Sequence, residues 1–194
     1  VLLDPPLLFA LTFILLFTIG GMTVLVLGAA STVVLVHDTY FVVCHFHFVM
    51  FGGTGMAFIA AMHYWLPKIY GRMFDKTGAT VSWGVIFIGF LIMYISMKIL
   101  GMQGMPRRYY DYIPEFTGLN QLSTLGSWIL AIGLILMFVN IFRGLFKGDP
   151  VGDNPWGGAS LEWQVPSPPP HENFGEADPV VTHGPYDYKK AGIL

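Results

Sequence analysis

The sequence predicts an all-α integral membrane fold with four transmembrane helices and an irregular tail. Three observations carry that prediction. Of the 194 residues, 54% are hydrophobic and only 11% are charged, against roughly 25% charged in a soluble domain. The charges also avoid four long stretches. No Asp, Glu, Lys or Arg lies between Asp4 and Asp38, from Thr39 to Pro67, from Thr77 to Met97, or from Phe116 to Phe142. Each stretch reaches the about 20 apolar residues that a spanning helix needs. Finally, the composition turns to Gly, Pro and acidic residues after Lys147.

The elements follow in order. Helices are expected at about 6–28, 40–66, 79–100 and 118–146, so that residues 1–147 form a membrane domain and 148–194 an extramembrane tail. Asp4-Pro5-Pro6 reads as an N-cap followed by proline in the first turn. Pro67 and Gly71 are expected to stop the second helix, and Gly101, Gly104 and Pro106 to break the next connection. Gly20-Gly21, Gly52-Gly53, Gly55, Gly84 and Gly89 fall inside spans, where small residues let helices approach closely in lipid. The run Pro166-Ser167-Pro168-Pro169-Pro170 favours extended polyproline II structure, lying on the membrane domain or on another subunit. His171 and His183 in that tail are expected to be solvated. The chain opens almost directly into a span without a basic n-region. A processed chain, a split polypeptide or a fragment of a longer one is expected.

Composition excludes several classes. Ten basic and twelve acidic residues leave no cationic face for nucleic acid. A single cysteine, Cys44, excludes an intrachain disulfide and a CxxC zinc site.

Basic residues set the orientation. Lys68, Arg72 and Lys76 follow the second span and Arg143 and Lys147 the fourth, which places both segments on the cytoplasmic or matrix side. Arg107 and Arg108 then fall on the opposite side, where basic residues are disfavoured. They are either snorkelling side chains or partners of an anionic group at the membrane surface.

The chemistry concentrates at His45-Phe46-His47, near the outer end of the second span and shortly after His37-Asp38. Ionisable residues inside a span are functional candidates. A buried histidine is commonly a hydrogen-bonded core residue, and two histidines could form a proton relay. Two in one apolar run also suit metal ligation, since imidazole binds iron, copper and zinc. A helix turns about 100° per residue, so His45 and His47 point about 200° apart. From a regular helix they address two separate centres rather than chelating one.

The segment His37-Asp38-Thr39-Tyr40-Phe41-Val42-Val43-Cys44-His45-Phe46-His47-Phe48-Val49 resembles the signature of the haem–copper oxidase superfamily, and within it subunit I of the cytochrome c oxidases. Met105-Pro106-Arg107-Arg108-Tyr109 is similar to that family's arginine-pair motif. Leu161-Glu162-Trp163 with the following proline run is similar to its C-terminal tail. The order and separation of the three agree, and the resemblance fades only after about Glu176.

The resemblance implies roles residue by residue. His45 matches the proximal ligand of the high-spin haem, where oxygen is reduced, and is the implied catalytic residue. His47 matches one axial ligand of the low-spin haem. Arg107 and Arg108 match residues that pair with haem propionates, and Tyr40 a residue close to them. His37 and Asp38 match a magnesium and propionate region. Cys44 departs from the Ala or Gly usual at its position and reads as a small buried hydrophobe.

The resemblance also implies two haems of type A, magnesium, and copper at a binuclear centre whose ligands lie outside this chain. The second ligand of the low-spin haem and the proton channels are outside it too. The four helices match the last four of a twelve-helix subunit. The implied activity is a proton-translocating terminal oxidase, passing electrons from cytochrome c to O2. The implied partners are the remainder of subunit I, a subunit II with a copper electron-entry site, subunit III and the lipid bilayer. A bacterial cytoplasmic membrane is expected, with the mitochondrial inner membrane as the alternative. The competing readings are a quinol oxidase of the same superfamily and a non-enzymatic membrane subunit or transporter segment.

Overall fold

The computed structural model describes residues 3–174 and 179–189; the point near Glu176 where the resemblance fades lies outside them. The described residues form helices α1 (Pro5–Gly28), α2 (Ala30–Val36), α3 (Tyr40–Val49), α4 (Met56–Tyr70), α5 (Lys76–Met102) and α6 (Thr117–Lys147). A π-helical segment, Met50–Gly55, joins α3 to α4 without a break. Short 3-10 turns lie at Pro114–Phe116 and Leu161–Trp163. Four stretches are long and apolar enough to cross a membrane: Pro5–Gly28, Tyr40–Tyr70, Lys76–Met102 and Pro114–Lys147. Among the described residues every regular element is helical, and the four long apolar stretches have the length and composition of membrane spans.

Three features depart from the expected elements. The second helix runs through Pro67 to Tyr70. Pro67 lies in the last turn, where its missing N–H leaves only one intrahelical acceptor unused. The connection after α1 contains α2, closed at its start by the Thr32 hydroxyl, which donates to the Ala29 and Val26 carbonyls. The middle of the second span is π-helical where Gly52, Gly53 and Gly55 occur; a wide turn of this kind is rare and often lies near a functional site.

The structure divides into two units. The first comprises Val1–Ala61 and Lys76–Phe138. Its core is built from Phe9, Leu16, Phe41, Phe48, Ile86 and Phe90, with exposures between 0% and 3%. Here α3 packs between α1 and α5. A Cβ on Gly101 of α5 would strike the Phe41 backbone of α3, so this crossing needs glycine. Gly52 is similarly confined, with Leu16 and Phe90 against the position a Cβ would take. Gly20, Gly53 and Gly89 also lie against neighbouring helices, whereas Gly21 and Gly84 face open space. Trp83 donates its Nε1–H to Thr12 on α1 at 2.8 Å, which satisfies two polar groups inside the span. Large apolar side chains on α1 and α6, such as Leu25, Trp128 and Ile132, face outward, as suits helices surrounded by lipid or other helices.

The second unit comprises Met62–Asp75 and Val139–Leu194. Within it the tail segment is pinned to the end of α4. Lys68 is only 4% exposed; its ammonium donates to the Asp153 carbonyl at 2.9 Å and to the Val165 carbonyl. It also lies 5.8 Å from the centre of the Trp163 ring. Trp156 donates to the Tyr64 carbonyl at 2.8 Å. Gly71, at φ +67°, accepts from Val151 N–H and lies against Pro168. His63 is fully buried, with its ring edge-on to Phe74 at 4.9 Å. His171 is exposed, as expected, beside Glu172. His183 is instead half-buried, with Nε2 donating to the Ala159 carbonyl at 3.2 Å.

Candidate functional site

The site is organised by the start of α3. Thr39 caps that helix, accepting from Phe41 N–H while its hydroxyl donates to the Val36 carbonyl. The cap fixes where the helix begins and therefore which way each histidine points.

His45 faces α1. Its Nδ1 lies 2.7 Å from the Thr23 hydroxyl and 3.1 Å from the Gly20 carbonyl. Thr23 donates its own proton to the Gly20 carbonyl at 2.6 Å. Both partners therefore accept from His45, and Nδ1 carries the ring proton. The lone pair is left on Nε2. This is the arrangement by which a protein prepares an imidazole to bind a metal.

His47 faces α5. Its Nδ1 lies 2.8 Å from the Val43 carbonyl, which can only accept, so Nε2 again holds the lone pair. The ring is stacked on Tyr94 of α5, with centroids 4.7 Å apart and planes at 23°. The two imidazoles thus contact different neighbouring helices, as their two-residue spacing requires. Phe46 between them is partly exposed, and Cys44 is buried at 1% exposure.

The second part of the site is an outer corner where two distant motifs meet. Thr39 and Pro106 form an antiparallel bridge. Tyr40 N–H donates to the Met105 carbonyl at 3.0 Å, and Arg107 N–H to the Asp38 carbonyl at 2.9 Å. The Arg107 guanidinium grips one carboxylate oxygen of Asp38, with Nε at 2.9 Å and Nη2 at 2.7 Å. His37 lies 3.4 Å from the other oxygen. The bond from Arg107 holds the Asp38 carboxyl below its ordinary range, against the opposing effect of desolvation. Asp38 at φ +55° and Arg108 at φ +68° both occupy left-handed backbone, which costs a non-glycine residue energy and is commonest where the surroundings enforce it. Arg108 is exposed and makes no side-chain hydrogen bond among the described residues. Tyr40 is half-buried beside the bridge.

The arrangement offers two aromatic nitrogen ligands on separate faces and a two-arginine, net cationic edge above them. That donor set suits two separate metal centres, and the arginine edge suits groups that carry carboxylates. The site fits magnesium less completely. Among the described residues no cluster of three or more His, Cys, Asp or Glu could hold a metal ion. His37 and Asp38 alone fall short of the near-octahedral oxygen set that magnesium takes.

The sequence marks Gly20 only for packing and gives Thr23 and Tyr94 no role. A threonine in an apolar span is a signal that could have found Thr23, because such hydroxyls hydrogen-bond across helices in lipid. Nothing in the spacing of α5 marks Tyr94; its place emerges only once α3 and α5 are packed.

A family model described as "Cytochrome C and Quinol oxidase polypeptide I" matches residues 1–129. The chain is 42% identical over 186 residues to "Cytochrome c oxidase subunit 1" of Thermostichus vulcanus, covering 96% of this chain and 34% of that relative. It is 42% identical over 171 residues to the protein of the same name from Bacillus subtilis, covering 86% of this chain and 27% of the relative. Among solved structures it is similar to a heme-copper terminal oxidase dimer, with a TM-score of 0.66, 28% identity, and coverage of 73% of this chain and 26% of that one. The chain spans 34% and 27% of the lengths of these two curated relatives.

Proposed function

The chain belongs to the family of cytochrome c and quinol oxidase polypeptide I, and on that footing we propose that it is the C-terminal part of the catalytic subunit of a respiratory terminal oxidase. The observation that carries the proposal is the pair of imidazoles on α3. Each has its Nδ1 proton committed to an acceptor of a backbone or hydroxyl, and each faces a different helix. A proton relay would need neither the shared tautomer nor the divergence.

His45 would hold the high-spin haem and His47 the low-spin haem. The haems, of type A, would supply the redox chemistry, with O2 reduced to water at the one paired with copper. The chain's own contribution is ligand geometry and charge. Thr23 and the Gly20 carbonyl orient His45 and raise its basicity as a ligand. Val43 does the same for His47. Arg107 and Arg108 place positive charge where propionates would lie, and the strained turns at Asp38 and Arg108 hold that edge in place. Tyr40 buttresses the edge through its bond to Met105. His37 and Asp38 would contribute to a magnesium ion only if further ligands came from outside the described residues.

The copper ligands and the second ligand of the low-spin haem would belong to the remainder of subunit I. A subunit II with a copper electron-entry site and a subunit III would complete the complex, with cytochrome c as electron donor and proton pumping through channels mostly outside this chain. The basic residues Lys68, Arg72, Arg143 and Lys147 favour a bacterial cytoplasmic or mitochondrial inner membrane with the tail on the cytoplasmic or matrix side.

The test is haem content and spectrum of the purified complex. His47→Leu is expected to remove the low-spin haem signal and spare the high-spin one. His45→Ala is expected to abolish oxygen consumption and lose or loosen the high-spin haem, because a five-coordinate iron has no other protein bond. Full haem content with unaltered spectra in both variants would refute the assignment.

A further inference from the structure

We infer that Tyr94 is the positioning residue that fixes the ring plane of His47. The inference rests on reading His47 as a haem ligand and adds a residue on another helix to that site.

An axial imidazole keeps one freedom that its bond to iron does not remove: rotation of the ring about that bond. The Nδ1 bond of His47 limits this rotation only relative to its own helix, because its acceptor, Val43, lies one turn back on α3. The ring face needs a contact with a neighbouring element to be fixed in the packed structure. Tyr94 supplies it, lying nearly parallel to the imidazole at 4.7 Å.

Tyr94 is itself held firmly. It is 5% exposed, with Phe90 against its ring at 4.6 Å and Phe48 edge-on at 6.4 Å. Phe46 also lies near the His47 ring, at 4.4 Å and 31°. It is the preceding residue of the same helix and is 37% exposed, so it moves with α3 and is not clamped. His45 is held differently, by hydrogen bonds to α1, and makes no ring contact among the described residues. The two ligands should therefore respond differently to a change in α5.

The relevant feature of Tyr94 is its ring face. Tyr94→Phe keeps the face; Tyr94→Leu and Tyr94→Met fill similar space without one. The plane of an axial imidazole sets how the iron d orbitals split, so electron paramagnetic resonance of the oxidised low-spin haem reads the plane directly, which turnover does not. In the assembled oxidase, Tyr94→Phe should leave the low-spin g values unchanged. Tyr94→Leu or Tyr94→Met, whichever assembles, should shift and broaden the low-spin signal while haem content and the high-spin signature stay as in the unaltered enzyme.

Unchanged g values in the ringless variants would overturn the inference. So would a shift of equal size in Tyr94→Phe, or parallel changes at both haems, which would mark a general packing role. Absence of any low-spin signal in the unaltered oxidase would instead refute the reading of His47, and this inference with it.

Discussion

At the scale of single residues, the outer corner is governed by charge. Arg107 is bound to Asp38 by two nitrogens, so its positive charge is offset before any propionate is present, while Arg108 is not offset in this way. Arg107→Gln removes a positive charge and leaves Asp38 negative beside the site. The expected result is a haem midpoint potential lower by about 30–60 mV, equivalent to about 0.7–1.4 kcal/mol for one electron. Asp38→Asn should shift it the opposite way, and the double variant should return close to the starting value. Redox titration of the three variants checks this; a double variant as low as Arg107→Gln alone would show that Arg107 acts through its hydrogen-bond geometry and not through charge. Thr23→Val is a milder change. His45 Nδ1 keeps the Gly20 carbonyl at 3.1 Å, so the ligand is retained, but with a weaker partner. Losing the partner that orients a metal-binding imidazole costs 10–100-fold in metal affinity, and with one acceptor remaining the lower end applies. A haem-release rate about 10-fold faster, with the low-spin haem unaffected, is the expected reading.

At the scale of elements, the spacing of α3 and α5 matters most, because it brings Tyr94 to His47. Gly101 permits that spacing by leaving room for the Phe41 backbone. Gly101→Ala inserts a methyl group where backbone cannot move cheaply, and overpacking of this kind costs about 1–3 kcal/mol. The variant complex should melt at lower temperature and lose its low-spin haem first, measured by following both haem spectra during heating. These elements also show how much the sequence discloses. The four spans are readable because charge cannot lie in lipid, so their absence of Asp, Glu, Lys and Arg marks them directly. The divergence of His45 and His47 is readable because it depends only on helical pitch. The π-helical turn at Met50–Gly55 is not, since an apolar glycine-rich run suits an α-helix equally well until α1 and α5 close on it. Nor is the meeting of Asp38 with Arg107, which are 69 positions apart. Topology placed both on the same side, but only the bridge between Thr39 and Pro106 brings them into contact.

At the scale of the whole molecule, the tail is the part whose place composition leaves open. Proline and glycine announce irregular structure, and a polar segment after a span is expected outside the membrane, yet neither says what holds it. Within the second unit the holding group is Lys68. A buried lysine is rare unless its donors are met, and here the carbonyls of Asp153 and Val165 meet them while Trp163 covers one side. The positive charge is stabilised by main-chain carbonyls and by the Asp153 carboxylate, so the interaction depends on the path of the tail. Lys68→Met keeps the apolar stem but removes the donors and leaves the buried Val165 carbonyl unpaired, at about 1–3 kcal/mol, while the Asp153 carbonyl lies nearer the surface. That cost falls on the segment between Asp153 and Val165, which is irregular apart from the Leu161–Trp163 turn and is otherwise held by the Trp156 bond to Tyr64 and the buried Trp163. The expected outcome is faster proteolytic cleavage within residues 150–165 of the assembled complex, with haem spectra unchanged because His45 and His47 lie in the other unit. Cleavage at the rate of the unaltered protein would show that Trp156 and the packing of Pro168 on Gly71 hold the tail without the lysine.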